Sequence, residues 1–191
     1  MRSRTPFAAL AAALLAVALV AGCSDSEETW ALSDPTAAQH RIDSLVDGTL
    51  KAITPAVTIP EDWWYDYDEK RTAFGKETGY ADVWRKSYLE QRIAEGKKRV
   101  LLDQVEKHWK DQGCTVNPEK PAALQVYVSA VCADQAWAML EISRNGVAFV
   151  EARVNGTKYP GGPSPFPNTH SPQPTASKAP DEQWDDPYWS H

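Results

Sequence analysis

The stretch LQVYVSAVCADQAWAMLEISRNGVAFVEARV, residues 124–154, decides the fold class of this chain. Apolar side chains recur at every second position in three segments of it, residues 124–132, 137–143 and 147–154. A period of two is typical of β-strands with one buried face. The three segments therefore predict three consecutive strands of an antiparallel sheet.

The dipeptide Asn145-Gly146 separates the last two segments and predicts a β-hairpin. A type I′ turn needs a positive φ at both central residues, which favours this pair. That turn predicts a register that pairs Ile142 with Phe149, Leu140 with Glu151 and Trp137 with Val154. One face then carries Leu140, Ile142, Val147 and Phe149, and the other carries Trp137, Met139, Val150, Ala152 and Val154. Either helices cover one side and loops or a partner cover the other, or part of the sheet is an exposed binding surface.

Two segments outside this stretch have helical periodicity. Residues 35–53 begin after the N-cap candidate Asp34, and their apolar stripe consists of Ala38, Ile42, Leu45, Val46, Leu50 and Ile53. Residues 95–112 stop before Gly113, and their stripe consists of Val100, Leu101, Leu102, Val105 and Trp109. Both stripes predict helices that pack on the sheet.

The remaining segments are less regular. Residues 114–117 predict a short strand closed by Pro118, residues 54–80 predict irregular structure, and residues 80–93 fit a helix or a strand, with a slight preference for a strand. Together the patterns predict one α+β domain, residues 33–158. In it, two helices pack on one face of an antiparallel sheet of four to five strands.

The N-terminus, MRSRTPFAALAAALLAVALVAGC, predicts a secretory signal peptide over residues 1–22. Its apolar run, Phe7 to Ala21, is shorter than the ~20 residues that span a bilayer. The exit Val20-Ala21-Gly22-Cys23 resembles the bacterial lipobox. This resemblance implies cleavage before Cys23 and attachment of diacylglycerol and an acyl group such as palmitate to that cysteine. The alternative is an incidental cysteine after an ordinary export signal, or one in a disulfide.

A lipidated Cys23 has consequences for the rest of the chain. It predicts a protein anchored on the outer, extracytoplasmic face of the cell membrane, with residues 23–32 as a lipidated N-terminus and flexible tether. It leaves Cys114 and Cys132 as the only possible disulfide pair, in an oxidising compartment. The alternative is two separate buried thiols.

The acidic balance of the chain argues against nucleic acid as a partner. Beyond the two signal-peptide arginines the chain has 18 basic and 26 acidic residues, a net charge of −8. The same balance argues against a polybasic grip on anionic lipid.

The acidic, aromatic segment 61–69 is the strongest candidate for ligand binding. Its tryptophans could stack on sugar rings and its carboxylates could bind calcium, which makes Trp63, Trp64, Tyr65, Asp66 and Asp68 the candidate residues. The favoured alternative is that the aromatic residues fill the gap between helix and sheet. No catalytic, metal or cofactor motif is recognisable, so we expect neither an enzyme nor a cofactor.

Residues 159–191 contain eight of the fourteen prolines and predict a disordered tail. The final segment DEQWDDPYWSH has the composition of a short acidic-aromatic binding motif. A solvated tail is the favoured interpretation.

The stretch from Lys98 to Val154 resembles small uncharacterised lipoproteins of actinobacteria, on Val105-Glu106-Lys107-His108-Trp109, Gly113, Cys132 and the strands to Val154. The resemblance implies a membrane-anchored α+β domain and transfers no activity. We therefore expect a lipid-anchored, non-enzymatic protein with a binding or scaffolding role at the cell envelope, whose partner is an envelope protein or a cell-wall glycan. A ligand-binding lipoprotein for a cell-wall sugar, peptidoglycan fragment or calcium is the alternative, and an enzyme is the third class.

Overall fold

The computed structural model describes residues 34–59, 64–71, 73–122, 125–159 and 185–191. The helices are α1 (Pro35–Ala52) and α2 (Glu95–Asp111). The strands are β1 (Trp64–Arg71), β2 (Glu77–Tyr88), β3 (Thr115–Ala122), β4 (Gln125–Val131), β5 (Trp137–Ser143) and β6 (Ala148–Lys158). The described residues thus form an α+β domain, as the sequence predicts.

All six strands belong to one antiparallel sheet in the order β1-β2-β6-β5-β4-β3. The sequence predicts four to five strands, and the additional one is β1, which lies in the segment predicted to be irregular. Residues 80–88 belong to β2, so the preference for a strand there is confirmed, whereas residues 89–93 lie beyond its end. Strand β3 extends past Pro118 to Ala122, which is possible because β3 is an edge strand with an irregular register there.

Both predicted helices are confirmed, with ends within two residues of the predicted ones. Asp34 is the N-cap of α1, where its carboxylate accepts hydrogen bonds from the backbone N–H groups of Thr36 and Ala37. Gly113 follows α2 with a φ of 76°, the left-handed conformation that ends helices. One predicted core residue is wrong: Val100 is 36% exposed, because it lies one position outside the buried stripe.

Both helices pack on one face of the sheet, which we call the covered face. Its side chains are small and aliphatic, apart from Arg85 and Ser87: Val83 of β2, Ala138, Leu140 and Ile142 of β5, and Ala148, Val150, Ala152 and Val154 of β6. Trp109 of α2 is fully buried against α1, and its indole N–H donates a hydrogen bond to the Thr49 hydroxyl at 2.8 Å. Arg85 pairs with Asp43 and Asp47 of α1. This buried cation thus links α1 to β2.

The β5–β6 hairpin is present, but its predicted register is wrong by one residue. Leu140 pairs with Val150, not Glu151, and Ile142 pairs with Ala148, not Phe149. The reason is the turn. Residues 144–146 form a three-residue loop in which Gly146 has a φ of 84°. A type I′ turn would also need a positive φ at Asn145, but Gln135 is the only non-glycine residue with a positive φ in the described part of the chain. The loop therefore corresponds to a turn followed by a left-handed glycine and not to type I′.

A one-residue shift moves side chains to the opposite face of the sheet. Phe149 lies on the face away from the helices, and not beside Leu140 and Ile142 as predicted. Val150 and Ala152 join the core instead. Packing of Gly146 against the β2–α2 connection accompanies this register: the backbone N–H of Ile93 donates to the Gly146 carbonyl at 2.9 Å.

The final segment, residues 185–191, is packed on the domain and differs from the solvated tail that the sequence favours. Trp189 is fully buried, and its indole N–H donates to the Pro55 carbonyl at 3.0 Å. The backbone N–H of Ala94 donates to the Trp189 carbonyl at 2.7 Å, and Ser190 donates to the Arg92 carbonyl. Residues 160–184, the rest of the predicted tail, lie outside the described residues.

Candidate functional site

The predicted lipid site, Cys23, and the predicted signal peptide lie outside the described residues. The predicted pairing of the other two cysteines is confirmed, since the sulfur atoms of Cys114 and Cys132 lie at disulfide distance. This disulfide links Cys114, just before β3, to Cys132, just after β4. No helix of the described residues is long and apolar enough to cross a membrane.

The candidate ligand-binding segment 61–69 is mostly a strand and not a loop. Trp64, Tyr65, Asp66 and Asp68 belong to β1, an edge strand whose backbone pairs with β2 in the register Trp64 with Lys86. Trp63 lies outside the described residues. The binding of sugar or calcium by these five residues stays a prediction. Elsewhere in the described ranges, no three side chains of the His, Cys, Asp and Glu types cluster as a metal site would require.

The face of the sheet opposite the helices, which we call the open face, is the most distinctive surface of the described residues. The strand registers place its side chains in three rows that run across β2, β6, β5 and β4. The first row is Trp84, Arg153, Trp137 and Val131; the second is Lys86, Glu151, Met139 and Ser129; the third is Tyr88, Phe149, Glu141 and Tyr127. All are half-buried except Phe149, which is buried, so aromatic and charged groups alternate on a surface without a helix above it.

Contacts within the first row fix the Arg153 guanidinium. It lies over the Trp84 ring at 5.1 Å from the ring centroid and donates to the Asp82 carboxylate at 3.0 Å. Asp82 is buried and also accepts an ion pair from Lys70 and a hydrogen bond from the Gly156 backbone N–H. A buried carboxylate needs such partners. The position of the Arg153 guanidinium on the open face is therefore fixed by Asp82 and Trp84 and does not depend on a ligand.

The second and third rows are joined by Lys86. Its ammonium group pairs with Glu151 at 3.2 Å and lies over the Phe149 ring at 4.2 Å. Phe149 in turn packs against Tyr88 with ring centroids 5.4 Å apart. The aromatic surface is thus preorganised, so binding would cost little side-chain entropy.

Glu141 on the open face has a raised pKa. Partial burial raises the pKa of Glu141, the Lys86 ammonium lowers it, and the nearby Glu151 carboxylate raises it further. The net shift is upward because burial outweighs the attraction of Lys86.

Sequence reasoning identified the alternation of these strands and offered an exposed sheet face as one alternative for binding, but it did not assign the residues of the open face. It placed Phe149 on the wrong face, and it treated Trp84, Lys86 and Tyr88 as belonging to an ambiguous segment. The signal that could have found them is the spacing of two between Trp84, Lys86 and Tyr88, which places both aromatic rings on one face of a strand.

No protein-family model matches this chain, and no match was found among curated proteins or solved structures.

Proposed function

We propose that this protein is a lipid-anchored, non-enzymatic binding protein of the cell envelope that holds a partner protein on its open sheet face. The lipobox resemblance at Cys23 supports the anchor and the extracytoplasmic location. The open face supports binding, and it is the single observation that carries the proposal.

The composition of the open face favours a protein partner. Tryptophan, tyrosine and arginine dominate the energetically important residues of protein interfaces. Here Trp84, Arg153 and Trp137 are cross-strand neighbours in one row. The adjacent row offers both a positive and a negative group, Lys86 and Glu151, which would give a partner a defined register.

A site-specific photocrosslinker tests this proposal in the native envelope. Placed at Trp137, it should join the protein to one partner; placed at Val100, an exposed residue of α2, it should not. The Trp84→Ala substitution should weaken the complex by about thirtyfold, as expected for an interface hot spot. Equal crosslinking from both positions, or no loss on substitution, would contradict the proposal.

The anchor is tested separately. Cys23→Ser should abolish labelling by radioactive palmitate and release the protein from membranes. Retention of the variant on membranes would contradict the lipid anchor but not the proposed binding by the open face.

A cell-wall glycan is the second candidate ligand, favoured by Trp84 and Trp137, the two partly exposed tryptophans of the first row. Muropeptides or cell-wall sugars should then quench tryptophan fluorescence and raise the melting temperature, and Trp137→Ala should remove both effects. A calcium titration in the same assay tests the carboxylates of β1.

A further inference from the structure

The final segment, residues 185–191, forms a compact turn that is held by its own hydrogen bonds. The Asp186 carboxylate accepts from the backbone N–H groups of Tyr188 at 2.8 Å and Trp189 at 2.7 Å. The backbone N–H of Ser190 donates to the Asp186 carbonyl at 3.1 Å, and the Ser190 hydroxyl accepts from the Asp186 N–H at 3.0 Å. The rings of Tyr188 and Trp189 meet edge to face, with centroids 4.9 Å apart. Because these contacts lie within the segment, it is a preorganised unit that loses little entropy when it binds.

The domain holds this turn at four residues, which we call the docking site: Pro55, Arg92, Ala94 and Lys97. Trp189 is fully buried there, and its indole N–H donates to the Pro55 carbonyl at 3.0 Å. The backbone N–H of Ala94 donates to the Trp189 carbonyl at 2.7 Å, and the Lys97 ammonium lies 3.7 Å from the Tyr188 ring centroid. Without the segment, the Trp189 ring would lose its burial and the Ala94 N–H its partner. An empty docking site is therefore unfavourable.

The covalent link between the domain and the final segment does not fix which copy of the chain supplies the segment. Strand β6 begins near the docking site, since the N–H of Ile93 donates to the Gly146 carbonyl, and the chain leaves β6 at Tyr159, at the opposite end of the strand. The 11 residues of β6 are ~35 Å long. Residues 160–184 can bridge at most ~80–90 Å. They therefore reach the docking site of the same copy and also that of an adjacent copy, because a domain of this size has a radius of gyration of about 14 Å.

We propose that two copies of this chain exchange their final segments, so that Trp189 of each copy fills the docking site of the other. Residues 185–191 make the same docking contacts in the exchanged pair, and a reciprocal exchange leaves neither docking site empty. Exchange of an identical element is a low-cost route to a dimer. Only the link differs: it gives the segment an effective concentration of about millimolar on its own copy, so exchange increases with the concentration of copies. The lipid anchor of the proposed function would raise that concentration in the membrane plane, but exchange does not depend on it.

Photocrosslinking between two distinguishable full-length chains tests the exchange in detergent, where no membrane confines the copies. The donor carries a photoreactive amino acid at Tyr188, and the affinity-tagged acceptor carries Trp189→Ala, which weakens docking of its own segment. Donor–acceptor adducts should form, increase with concentration and map to α2 beside Lys97. Adding Trp189→Ala to the donor is the matched control and should reduce the adducts about thirtyfold, as expected for a buried tryptophan anchor. Adding Lys97→Ala to the acceptor should reduce them about fivefold, as expected for one cation–π contact.

Adducts confined to single donor chains would overturn the exchange, because the segment would then dock only on its own copy. Adducts that survive Trp189→Ala in the donor, or that map away from the docking site, would also overturn it, because the copies would then meet through another surface. If the Trp189→Ala acceptor does not fold, Asp186→Ala takes its place. That substitution loosens the turn of the acceptor's own segment and leaves the docking site intact, so the same adducts are expected and the same results would overturn the exchange.

Discussion

The two faces of the sheet use the same strands for different purposes. On β5 and β6 the covered face presents alanine, valine, leucine and isoleucine, all buried. The intervening positions present Trp137, Met139, Glu141, Phe149, Glu151 and Arg153 to the open face. The large side chains thus lie where no helix packs. Small residues let α1 and α2 approach the sheet closely. The large side chains on the open face contact each other but remain partly exposed to solvent. This difference fits the proposed function, in which the covered face stabilises the domain and the open face holds a partner.

Two tryptophans, one on each side, provide the largest expected contrast. Trp109→Ala should lower the free energy of unfolding by about 3–5 kcal/mol, because it leaves a cavity and removes the partner of the Thr49 hydroxyl. Trp137→Ala on the open face should cost less, about 1–2 kcal/mol, since its side chain is only partly buried and no hydrogen bond of its indole is lost from the core. Urea unfolding of both variants measures the difference, and equal losses would show that the open face belongs to the core.

The C-terminal segment should behave as part of the covered side. Trp189→Ala should destabilise the domain by about 3 kcal/mol, because the ring is fully buried and its N–H is satisfied by Pro55. The matched variant Tyr188→Ala removes a half-buried ring that carries the Lys97 ammonium at 3.7 Å, and it should cost about 1 kcal/mol. Thermal unfolding measures both. A Trp189→Ala variant as stable as the wild type would show that residues 185–191 do not contribute to the fold.

The turn that assigns side chains to the two faces can be tested at its glycine. A Cβ at position 146 would lie 2.6 Å from the Ile93 carbonyl oxygen, and the φ of 84° is unfavourable for alanine. Gly146→Ala should therefore cost about 2 kcal/mol or more. Gly75→Ala is the control: its φ of 77° is similar but no atom lies within 4 Å, so only the conformational cost of about 1 kcal/mol remains. Urea unfolding of both variants measures the difference. Equal losses would mean that the contact with Ile93 does not hold the turn.

The smallest effects are the responses to pH, which have opposite signs for two groups. The raised pKa of Glu141 means that its contribution to stability is present below its unfolded pKa and is lost as pH rises through the folded one. Glu141→Gln should therefore stabilise the protein slightly at pH 7 and leave it unchanged at pH 3. Denaturant midpoints across this range check the sign, and a loss of stability at pH 7 would contradict it.

His108, between the helices, should show the reverse. Burial lowers the pKa of His108 below its ordinary value of 6.5, and Asp111 opposes that shift. Its contribution is present above pH 6.5 and is lost as pH falls through the folded pKa. His108→Gln should remove the part of the stability loss that the wild type shows between pH 7 and pH 5. Unchanged pH dependence in this variant would mean that His108 remains hydrated.

The helices and most strands could be predicted because their signals are local. Asp34 caps α1, Gly113 follows α2, and β5 has the predicted ends, since caps and alternation depend on neighbouring residues alone. Strand β1 was missed because its aromatic–acidic alternation covers only Tyr65 to Asp68 and is followed by the charged run Glu69-Lys70-Arg71. Its backbone pairs with β2 along its length, and the residue pattern of β1 alone does not show this pairing.

The sequence by itself determined that this chain is an α+β domain with two amphipathic helices and alternating strands. The sequence also predicts an export signal and a lipidation site, because both depend on linear motifs. The tertiary structure decided which side chains share a face, because a one-residue change in the β5–β6 register moves side chains to the opposite face. The observed register occurs together with the close contact of Gly146 with Ile93. It also decided that Trp189 belongs to the core, since its hydrogen-bond partners Pro55 and Ala94 lie in two segments that are distant from it in sequence. Local propensity cannot report such contacts between distant segments.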